Sequence, residues 1–365
     1  MGKKKVLHII TDANIGGAGH QMLALLDNIS QDFQAEVLLP ENAHLAPLLE
    51  SRGIKHEAVP HIAARSFSWA GIFALYRKIR ELQPDIVHTH ASFSGRIAAR
   101  MYGRCKIVHT LHCAFPVTGW RRLPPVKLLT GMLNNFFSHR MIATSPVARD
   151  VLLALGASDK KIRTIFNGAS PAKDYTEEER EKLREKYDIP QDSFVAAYIS
   201  RLVDIKGHDH VLDAARHLQD GTLILFAGSG EYETHLRNRI RDEQISNVRL
   251  LGFVEAVDEI LALMDVQVNA SYVSETTSLS LLQGMSVGKP AVVTNFSGNP
   301  YVIEDGINGL LTPPKDGTAM GNAVARLKND PKLYAELSEG ARKRYSERFT
   351  AQHMARNTEK VYLEL

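Results

Sequence analysis

Near its start the chain reads VLHIIT at residues 6–11, DANIGGAGH at 12–20 and QMLALLDNI at 21–29. The first segment is short and rich in Ile and Leu, which is typical of a strand buried on both faces. The glycines of the second segment predict a tight turn, and the third segment has a helical pattern. This stretch therefore predicts a buried strand that leads through a turn into a covering helix.

The same alternation continues along the chain. Helices that connect strands favour parallel sheets covered on both faces. We therefore predict the α/β class, with two doubly wound, Rossmann-like domains that face each other across a cleft and bind ligands beyond the carboxyl ends of their strands. The predicted strands are residues 6–11, 35–40, 86–90, 106–111, 141–145, 194–200, 222–227, 248–251, 266–269 and 290–294, and the predicted helices include 19–29, 73–82, 126–137 and 175–186.

The composition supports two domains. With 365 residues, 44% hydrophobic and 23% charged, the chain is typical of a globular protein and too long for a disulfide-stapled scaffold. Its net charge of +3 lacks the basic excess that nucleic-acid binding requires, so we expect no nucleic-acid partner. Residues 1–172 carry 21 basic and 11 acidic side chains, net +10, whereas residues 173–365 carry 23 and 30, net −7. The opposite signs indicate domains that meet different partners.

The cysteines and apolar runs predict the compartment. Cys105 and Cys113 match neither a metal site nor a disulfide framework, which favours a reducing compartment. The apolar run Val6–Ile10 is shorter than the core of a signal peptide, and no stretch reaches the roughly 18 apolar residues of a membrane span. We expect a cytoplasmic protein, with a peripheral position at the inner face of the membrane as the alternative.

Candidate site residues in the first half follow predicted strands. Gly16 and Gly17 let a ligand approach the backbone at a helix N-terminus, with a plain tight turn as the alternative, and their spacing is not the dinucleotide-binding fingerprint. His88 and His90 are predicted on one face of a strand, but no carboxylate or third ligand stands at a suitable spacing, so we predict no metal site. For His112, beyond a strand end, ligand contact and a structural role both stay open.

The second half offers cations suited to a diphosphate. Arg201 and Lys206 follow the predicted strand at residues 194–200. The Arg guanidinium binds two oxygens at once and the Lys ammonium acts as a point charge, so the two suit neighbouring phosphates. Solvated surface charges are the alternative, but the place of both residues at a carboxyl end favours the phosphate role.

A second candidate site is the N-terminus of a helix further along. Thr277 or Ser278 is predicted to cap this helix, whose free backbone N–H groups suit phosphate oxygens. Glu275, just before the helix, can accept hydrogen bonds from sugar hydroxyls. Gln283, about two turns into the helix, can both donate and accept.

Together these turns resemble those of the family 4 retaining glycosyltransferases of the GT-B fold. The similarity extends over nearly the full chain, and the ordered series of motifs is more specific than any one glycine-rich turn. The segments that carry it are Gly16–Gly19, His109–His112, Asn167–Gly168, Arg201–Leu202, Lys206–Gly207, Gly228–Gly230, Glu275–Pro290 and Glu304–Leu311.

The resemblance implies a role for each domain and for each candidate residue. Residues 173–344 would bind the nucleotide sugar and residues 1–172 the acceptor, with a helix at about 345–365 crossing back onto the acceptor domain. The diphosphate would meet the two cations and the helix N-terminus, and the sugar would meet Glu275 and His112. The catalytic candidates are His112, Arg201, Lys206 and Glu275, and the donor-binding candidates are Gly16, Gly17, Asn167, Gly228, Ser278, Leu279, Ser280 and Gln283.

The resemblance also implies the reaction. A hexose or N-acetylhexosamine would pass, with retention at its anomeric carbon, from a nucleotide diphosphate sugar to a glycan or lipid-linked acceptor in surface polysaccharide or glycolipid synthesis. A UDP-sugar is favoured and a GDP-sugar is the alternative. No two Asp residues stand two apart, so the cation-holding Asp-x-Asp motif of the other common transferase fold is missing. We expect metal-independent chemistry with no cofactor beyond the nucleotide sugar as co-substrate.

One position departs from the family pattern. Gln283 stands where the family has a second Glu, whose carboxylate usually binds the ribose hydroxyls. An amide lacks charge assistance, which would weaken nucleotide binding by ~1 kcal/mol. A catalytically inactive nucleotide-sugar-binding or partner protein is therefore the alternative function.

The acceptor side is predicted from the segment after His112. Residues 113–125 mix aromatic, basic and Pro residues, which suits an acceptor site or anionic lipid headgroups, with an ordinary surface loop as the alternative. The apolar residues of the following helix, 126–137, stand at helical spacing and are predicted to pack into the domain core, with a membrane anchor as the alternative. The net charge of +10 in this half favours an anionic acceptor and a membrane surface.

Overall fold

The computed structural model describes residues 3–63, 67–218 and 221–365. The chain divides into two compact units: unit 1 is Met1–Gly168 with Ala351–Leu365, and unit 2 is Ala169–Thr350. The expected divisions, after residues 172 and 344, differ from the observed ones after residues 168 and 350. Within unit 2, Ala169 and Thr350 form a parallel bridge, which brings the two ends of this unit together.

Unit 1 is built on one parallel sheet. Among the described residues its seven strands are Lys4–Ile10 (β1), Phe33–Pro40 (β2), His56–Val59 (β3), Ile86–His90 (β4), Lys106–Leu111 (β5), Arg140–Ala143 (β6) and Ile162–Thr164 (β7). They lie in the order β3-β2-β1-β4-β5-β6-β7. The order reverses between β1 and β4, and the carboxyl ends of these strands are the place where such a sheet is expected to bind a ligand. The helices are Gly17–Leu26 (α1), Ala46–Glu50 (α2), Trp69–Leu82 (α3), Phe93–Tyr102 (α4), Pro124–Phe136 (α5) and Pro146–Ala154 (α6).

Unit 2 repeats this plan. Its six strands among the described residues are Phe194–Ile199 (β8), Thr222–Ala227 (β9), Val248–Gly252 (β10), Val266–Asn269 (β11), Ala291–Thr294 (β12) and Gly309–Thr312 (β13), in the parallel order β10-β9-β8-β11-β12-β13. Here the order reverses between β8 and β11. The helices are Glu177–Lys186 (α7), His208–Ala215 (α8), Glu233–Asp242 (α9), Val257–Leu263 (α10), Leu279–Ser286 (α11), Asn299–Val302 (α12), Gly317–Asn329 (α13) and Pro331–Arg344 (α14).

A last helix, Ala351–Leu363 (α15), completes the core of unit 1. Its Met354 and Tyr362 are buried in one cluster with Val6 of β1 and Phe33 of β2. The rings of Phe33 and Tyr362 meet edge to face at 5.5 Å. The first strands of the chain and its last helix therefore share one hydrophobic core.

The predicted α/β class with two parallel-sheet, Rossmann-like domains is confirmed. All ten predicted strands are present, and three further strands were not predicted: β3, β7 and β13. All three lie at sheet edges and are short. Two of them, HEAV and IRT, contain a charged residue, because an edge strand meets water and needs no continuous apolar run.

The helix α5 does not pack its apolar residues into the core, so that prediction is wrong. Leu128, Leu129, Met132 and Phe136 are each more than half exposed. Leu133 and Phe137 are only partly buried.

Small and polar residues of α5 make its contacts instead. A Cβ on Gly131 would collide with the carbonyl oxygen of Gly156. Thr130 Oγ1 donates to the carbonyl oxygen of Leu155 at 2.9 Å. The contacting face has no room for large side chains, so the apolar face of α5 stays exposed.

Candidate nucleotide-sugar site

The strands β8 and β11 are neighbours at the reversal point of the unit 2 sheet. Residues 200–207 follow β8, and residues 270–278 follow β11. Lys206 of the first loop places its Nζ 2.7 Å from Oε2 of Glu275 in the second. The two loops therefore meet, and two residues predicted to hold different parts of a ligand form a salt bridge with each other.

Both partners of this salt bridge are largely buried, with side chains 17% and 10% exposed for Lys206 and Glu275. Burial alone would raise the pKa of Glu275, but the Lys206 ammonium and hydrogen bonds from Ser271 and Asn269 outweigh it and lower the pKa. Burial alone would lower the pKa of Lys206, and the Glu275 carboxylate reverses this effect, so its pKa is raised. Both groups are therefore charged near neutral pH.

Two further polar residues hold the Glu275 carboxylate. Ser271 Oγ donates to Oε2 at 3.0 Å, and Asn269 Nδ2 donates to the same oxygen at 3.4 Å. Neither residue was predicted. Both lie at or just beyond the carboxyl end of β11, and a polar residue at that place in a buried strand is a signal that could have identified them.

The backbone around Lys206 is fixed by its neighbours. Gly207 has φ +70 and lies so close to Ala270 that a Cβ would collide with the Ala270 carbonyl oxygen. Tyr198 Oη donates to the carbonyl oxygen of Lys206 at 2.8 Å and lies 3.2 Å from Ser271 Oγ. Only glycine allows this approach of the two loops.

Arg201 lies in the same loop and is exposed. Two glycines support this loop: a Cβ on Gly228 would collide with the carbonyl oxygen of Ser200, and a Cβ on Gly230 with that of Leu202. The structure thus gives Gly228 a packing role beneath Arg201. Contact of Gly228 with a sugar donor stays a prediction.

The helix α11 begins at the same edge of the sheet. Ser278 is its N-cap residue, and Ser280 Oγ donates to the carbonyl oxygen of Ile199, the last residue of β8, at 3.2 Å. The first N–H groups of a helix have no acceptor within it, so those of Leu279 and Ser280 suit an anion at this edge. Gln283, on the second turn, is partly buried.

In unit 1 the turn after β1 places Gly16 and Gly17 at the N-terminus of α1. Among the described residues, nothing would lie within 4 Å of a Cβ on Gly17, and a Cβ on Gly16 would lie 3.6 Å from Oδ2 of Asp12. The space beside these glycines is therefore open, and their contact with a ligand stays a prediction. Asn167 is buried beside Gly168, whose N–H donates to Met354 Sδ at 3.2 Å.

Histidines fill one face of the unit 1 sheet. The rings of His88 and His90 stack at 4.5 Å on the same face of β4, as strand alternation predicts. His8 Nδ1 lies 3.1 Å from His90 Nε2, and His90 Nδ1 lies 3.0 Å from His112 Nε2. His8, His90 and His112 therefore form one hydrogen-bonded line, called here the histidine chain.

His88 is bonded separately from the histidine chain. Its Nδ1 lies 2.6 Å from Tyr362 Oη and its Nε2 lies 2.6 Å from Thr110 Oγ1. The ligating nitrogens of His8, His88 and His90 lie within 4.8 Å of one another, a spacing that suits a metal ion. Both nitrogens of His88 and of His90 are already hydrogen-bonded, however, and the group contains no carboxylate. A hydrogen-bonded network accounts for this arrangement, and the expected lack of a metal stays a prediction.

Burial keeps the rings of the histidine chain neutral. It lowers the pKa of His8 to about 3 and that of His112 to about 4. Burial also lowers the pKa of His90 well below its usual value, and the nearby histidines lower it further. None of the three rings carries a charge at pH 7.

Two family models match the chain one after the other. Glycosyltransferase Family 4 matches residues 15–173, and Glycosyl transferases group 1 matches residues 179–344. The chain belongs to glycosyltransferase family 4. It is thus a glycosyltransferase by family, and the resemblance seen in its turns is confirmed.

Relatives of this family 4 chain cover most or all of it. It is 26% identical to the UDP-Gal:alpha-D-GlcNAc-diphosphoundecaprenol alpha-1,3-galactosyltransferase of Escherichia coli over 100% of its own length and 97% of the relative's. It is 25% identical to the alpha-monoglucosyldiacylglycerol synthase of Acholeplasma laidlawii over 79% of this chain and 77% of that one. The crystal structure of Anabaena Alr3699/HepE in complex with UDP and glucose has a TM-score of 0.84 at 20% identity, over 99% of this chain and 100% of that chain. This likeness confirms the GT-B fold.

Within the described residues of this family 4 member, no helix combines the length and apolarity needed to cross a bilayer.

Proposed function

We propose that this chain is a retaining glycosyltransferase that moves a hexose or N-acetylhexosamine from a UDP-sugar to a lipid-linked acceptor. The observation that carries the proposal is the Lys206–Glu275 salt bridge at the reversal point of the unit 2 sheet. It sets a largely buried cation and a largely buried carboxylate side by side, next to the strand end where α11 begins. The Lys206 ammonium suits the negative charge of a diphosphate, and the Glu275 carboxylate can accept hydrogen bonds from sugar hydroxyls.

Lys206, Arg201 and the N-terminus of α11 supply fixed positive charge for the leaving diphosphate. Negative charge develops on that oxygen as the sugar departs, and groups already in place stabilise it without rearrangement. Lys206 is fixed through its backbone and its salt bridge. The side chain of Arg201 is exposed, so it can reorient to contact the phosphates.

We propose that no metal ion takes part. The site carboxylate, Glu275, is already neutralised by Lys206 and by hydrogen bonds, so it is a poor ligand for a divalent cation. The Lys206 ammonium supplies the positive charge that a metal ion supplies in metal-dependent transferases.

The donor and acceptor classes follow from the relatives. Alr3699/HepE is solved with UDP, and the Escherichia coli relative uses UDP-Gal, so a UDP-sugar is the favoured donor and a GDP-sugar the alternative. The names of both curated relatives contain a glycosylated lipid, a GlcNAc-diphosphoundecaprenol and a monoglucosyldiacylglycerol, which supports a lipid-linked acceptor for this chain. Gln283 would accept a ribose hydroxyl through its amide oxygen.

We propose further that unit 1 rests on an anionic membrane through a surface formed by Trp120, Arg121, Arg122, Lys127 and the exposed apolar residues of α5, called here the α5 surface. All of these side chains are exposed. Residues 86–149 contain nine Lys and Arg and no Asp or Glu, so nearly all of the +10 charge of this half lies in that stretch. An apolar face beside basic residues suits an anionic bilayer, where each basic residue contributes about 1 kcal/mol. A peripheral site at the inner membrane face would bring the enzyme to a lipid-linked acceptor.

One experiment tests the reaction. The purified chain is incubated with UDP-glucose, UDP-galactose, UDP-N-acetylglucosamine and GDP-mannose, each with vesicles that carry a polyprenyl diphosphate-linked sugar. We expect release of UDP from one donor and a lipid product whose anomeric configuration, read by NMR, matches that of the donor. Arg201→Ala is the control for contaminating hydrolases and should abolish release.

The alternative function, a binding protein without turnover, is motivated by Gln283. Saturable binding of a UDP-sugar in calorimetry, with no nucleotide release beyond that of Arg201→Ala for any donor, would establish it in place of the transferase. Inversion at the anomeric carbon would overturn the retaining mechanism while leaving a transferase.

A further inference from the structure

A pocket of about 480 Å³ lies at the amino edge of the unit 1 sheet, beside the first residues of β4 and β5. This edge is opposite to the carboxyl edge where such a sheet is expected to bind a ligand. Among the described residues that line the pocket, Asp85 is the one acidic side chain, and Leu365 adds its α-carboxylate. The cations that line it outnumber these acids, and the site is called here the basic pocket: Lys4, Arg100, Arg104 and Lys106.

Three cations of the basic pocket have no acidic partner. Arg104 and Lys106 are exposed, and the side chain of neither makes a hydrogen bond or a salt bridge with another described residue. Arg100 donates from Nη2 to the carbonyl oxygen of Phe136 and forms no salt bridge within the described chain. The Asp85 carboxylate accepts from the backbone N–H of Lys5 at 2.8 Å and pairs with none of the three. The pocket therefore carries positive charge that the protein leaves uncompensated.

His139 adds a neutral hydrogen-bond donor to this lining. The backbone N–H of Ile107 donates to His139 Nδ1 at 2.9 Å, so the proton of the neutral ring is on Nε2. Burial lowers the pKa of His139 to about 4, and the cations around it contribute to this shift: Arg100, Lys106, Lys161 and Arg140. The ring is therefore neutral at pH 7. Its Nε2–H has no acceptor in the part of the chain that the structure describes, so it is available to a ligand.

The helix dipole explains only part of this charge. Arg100 lies in the last turn of α4 and Arg104 lies just beyond it, where positive charge complements the negative end of a helix. Lys106, the first residue of β5, and His139, just before β6, belong to no such turn. Their presence in the same lining needs a different reason, which a bound anion supplies.

We propose that the basic pocket binds a phosphate group. A guanidinium binds two phosphate oxygens at once, an ammonium acts as a point charge, and a neutral imidazole N–H donates to an oxygen without adding charge. Arg104, Lys106 and His139 offer these three kinds of group at one place.

The phosphate group can belong to a lipid headgroup or to a free phosphate compound. The Arg100 guanidinium lies over the ring of Phe136, 4.7 Å from its centre, and Phe136 is an exposed residue of the α5 surface. The basic pocket is therefore continuous with the α5 surface, which favours a phospholipid headgroup. This step rests on the membrane contact proposed above, whereas the phosphate site does not.

The first experiment reads phosphate binding in the full-length protein. The chain is labelled with ¹⁵N-histidine and titrated at pH 7 with sodium phosphate, and separately with sodium chloride of the same ionic strength. The signals of His139 are those missing in His139→Gln. We expect them to shift saturably with phosphate and not with chloride. An equal response to the two salts, or no response to either, would overturn the proposal.

A double variant connects this binding to the pocket. Arg104→Gln/Lys106→Gln removes two charges that make no hydrogen bond or salt bridge in the described structure, so the fold should be unchanged. We expect the dissociation constant for phosphate to rise by roughly tenfold or more. The matched control is Lys55→Gln/Arg77→Gln, which makes the same change of charge at two exposed positions of unit 1 outside the pocket. Equal weakening in both double variants would contradict a site in the pocket.

Vesicles distinguish the two sources of the phosphate group. The wild-type chain and both double variants are floated in phosphate-free buffer with phosphatidylglycerol vesicles and with phosphatidylcholine vesicles. A loss of binding to phosphatidylglycerol in Arg104→Gln/Lys106→Gln, beyond that of the control variant, would support a lipid headgroup. Unchanged flotation of a variant that no longer binds phosphate would overturn the lipid source. Failure of the proposed function would show instead as no turnover, with the His139 shift in phosphate retained.

Discussion

Nζ of Lys206 lies 2.7 Å from Oε2 of Glu275, and the two residues come from different loops that follow neighbouring strands of one sheet. This salt bridge fixes the position of each charged group relative to the other. A nucleotide sugar that binds here therefore meets a cation and a carboxylate whose positions are already set, which lowers the ordering cost of binding.

Removing one partner of this pair should destabilise unit 2. In Lys206→Met the buried Glu275 carboxylate loses its counter-charge, at a cost of about 3 kcal/mol in the free energy of unfolding, whereas the double variant Lys206→Met/Glu275→Gln should lose less because neither charge remains. Urea unfolding of the three proteins measures the difference. Lys186→Met is the control, because its salt bridge to Glu259 is exposed on the Lys side and should contribute at most about 1 kcal/mol. Equal losses in the Lys206 single and double variants would show that the pair is not coupled.

A carboxylate at position 283 should tighten nucleotide binding. Gln283→Glu restores a charge-assisted acceptor for the ribose hydroxyls, which we expect to strengthen UDP binding by ~1 kcal/mol, about fivefold. Isothermal calorimetry with UDP measures it. Gln191→Glu makes the same change of charge at an exposed position and should have no effect. Weaker binding in Gln283→Glu would contradict the ribose role.

The α5 surface should govern vesicle binding. Leu129→Ser/Met132→Ser removes two apolar side chains that are 58% and 62% exposed, so stability should change little while binding to anionic vesicles falls at least tenfold. Flotation with anionic and with neutral vesicles measures it. Phe253→Ser, at a 78% exposed residue of unit 2, is the control. Unchanged flotation of the α5 variant would remove the proposed membrane contact.

Unit 1 should be more sensitive to acid than unit 2. Burial lowers the pKa of His8 to about 3 and of His112 to about 4, and it lowers the pKa of His88, His90 and His109 as well. These neutral rings stabilise the folded form fully above the unfolded pKa of about 6.5, and the stabilisation is lost as the pH falls below it.

Because all five rings stay neutral in the folded form while the unfolded chain takes up protons, the free energy of unfolding of unit 1 should fall more steeply than that of unit 2 as the pH drops below 6.5. Unit 2 holds one such histidine, His208, among its described residues with a pKa lowered to about 4, and should respond far less. Hydrogen exchange of peptides from each unit, in urea at pH 7.5, 6.5 and 5.5, measures both. The same pH dependence in the two units would disprove the prediction.

Metal removal should leave activity unchanged. Because Lys206 supplies the cation beside Glu275, dialysis against EDTA is expected to retain full turnover, assayed as UDP release. Loss of activity that Mn²⁺ restores would contradict this expectation.

The sequence was sufficient for the fold and for the identities of Lys206 and Glu275 as candidates. Buried central strands must be apolar, so they stand out, whereas the edge strands β3 and β7 carry charged residues and do not. The salt bridge between the two candidates could not be predicted from the sequence, because it depends on which strands are neighbours in the sheet. Asn269 ends the strand β11, and Ser271 lies in the loop that leads from it to Glu275.

The exposed face of α5 was beyond the sequence for a different reason. Apolar residues at helical spacing look the same whether they meet a protein core or a bilayer. Whether the apolar face of α5 is buried or exposed depends on the opposite face of the helix, where Gly131 and Thr130 make the contacts. That choice appears only once Gly156 and Leu155 are known to lie against it.

The position of α15 sets an order for folding during synthesis. The core of unit 1 includes Met354 and Tyr362, and Tyr362 Oη lies 2.6 Å from Nδ1 of buried His88. Residues 1–168 leave the ribosome before this helix is translated. The face of their sheet that packs against α15 therefore stays uncovered while residues 169–350, which form unit 2, are translated. A nascent chain stalled before residue 351 would present that face, lined by histidines and apolar side chains, to chaperones.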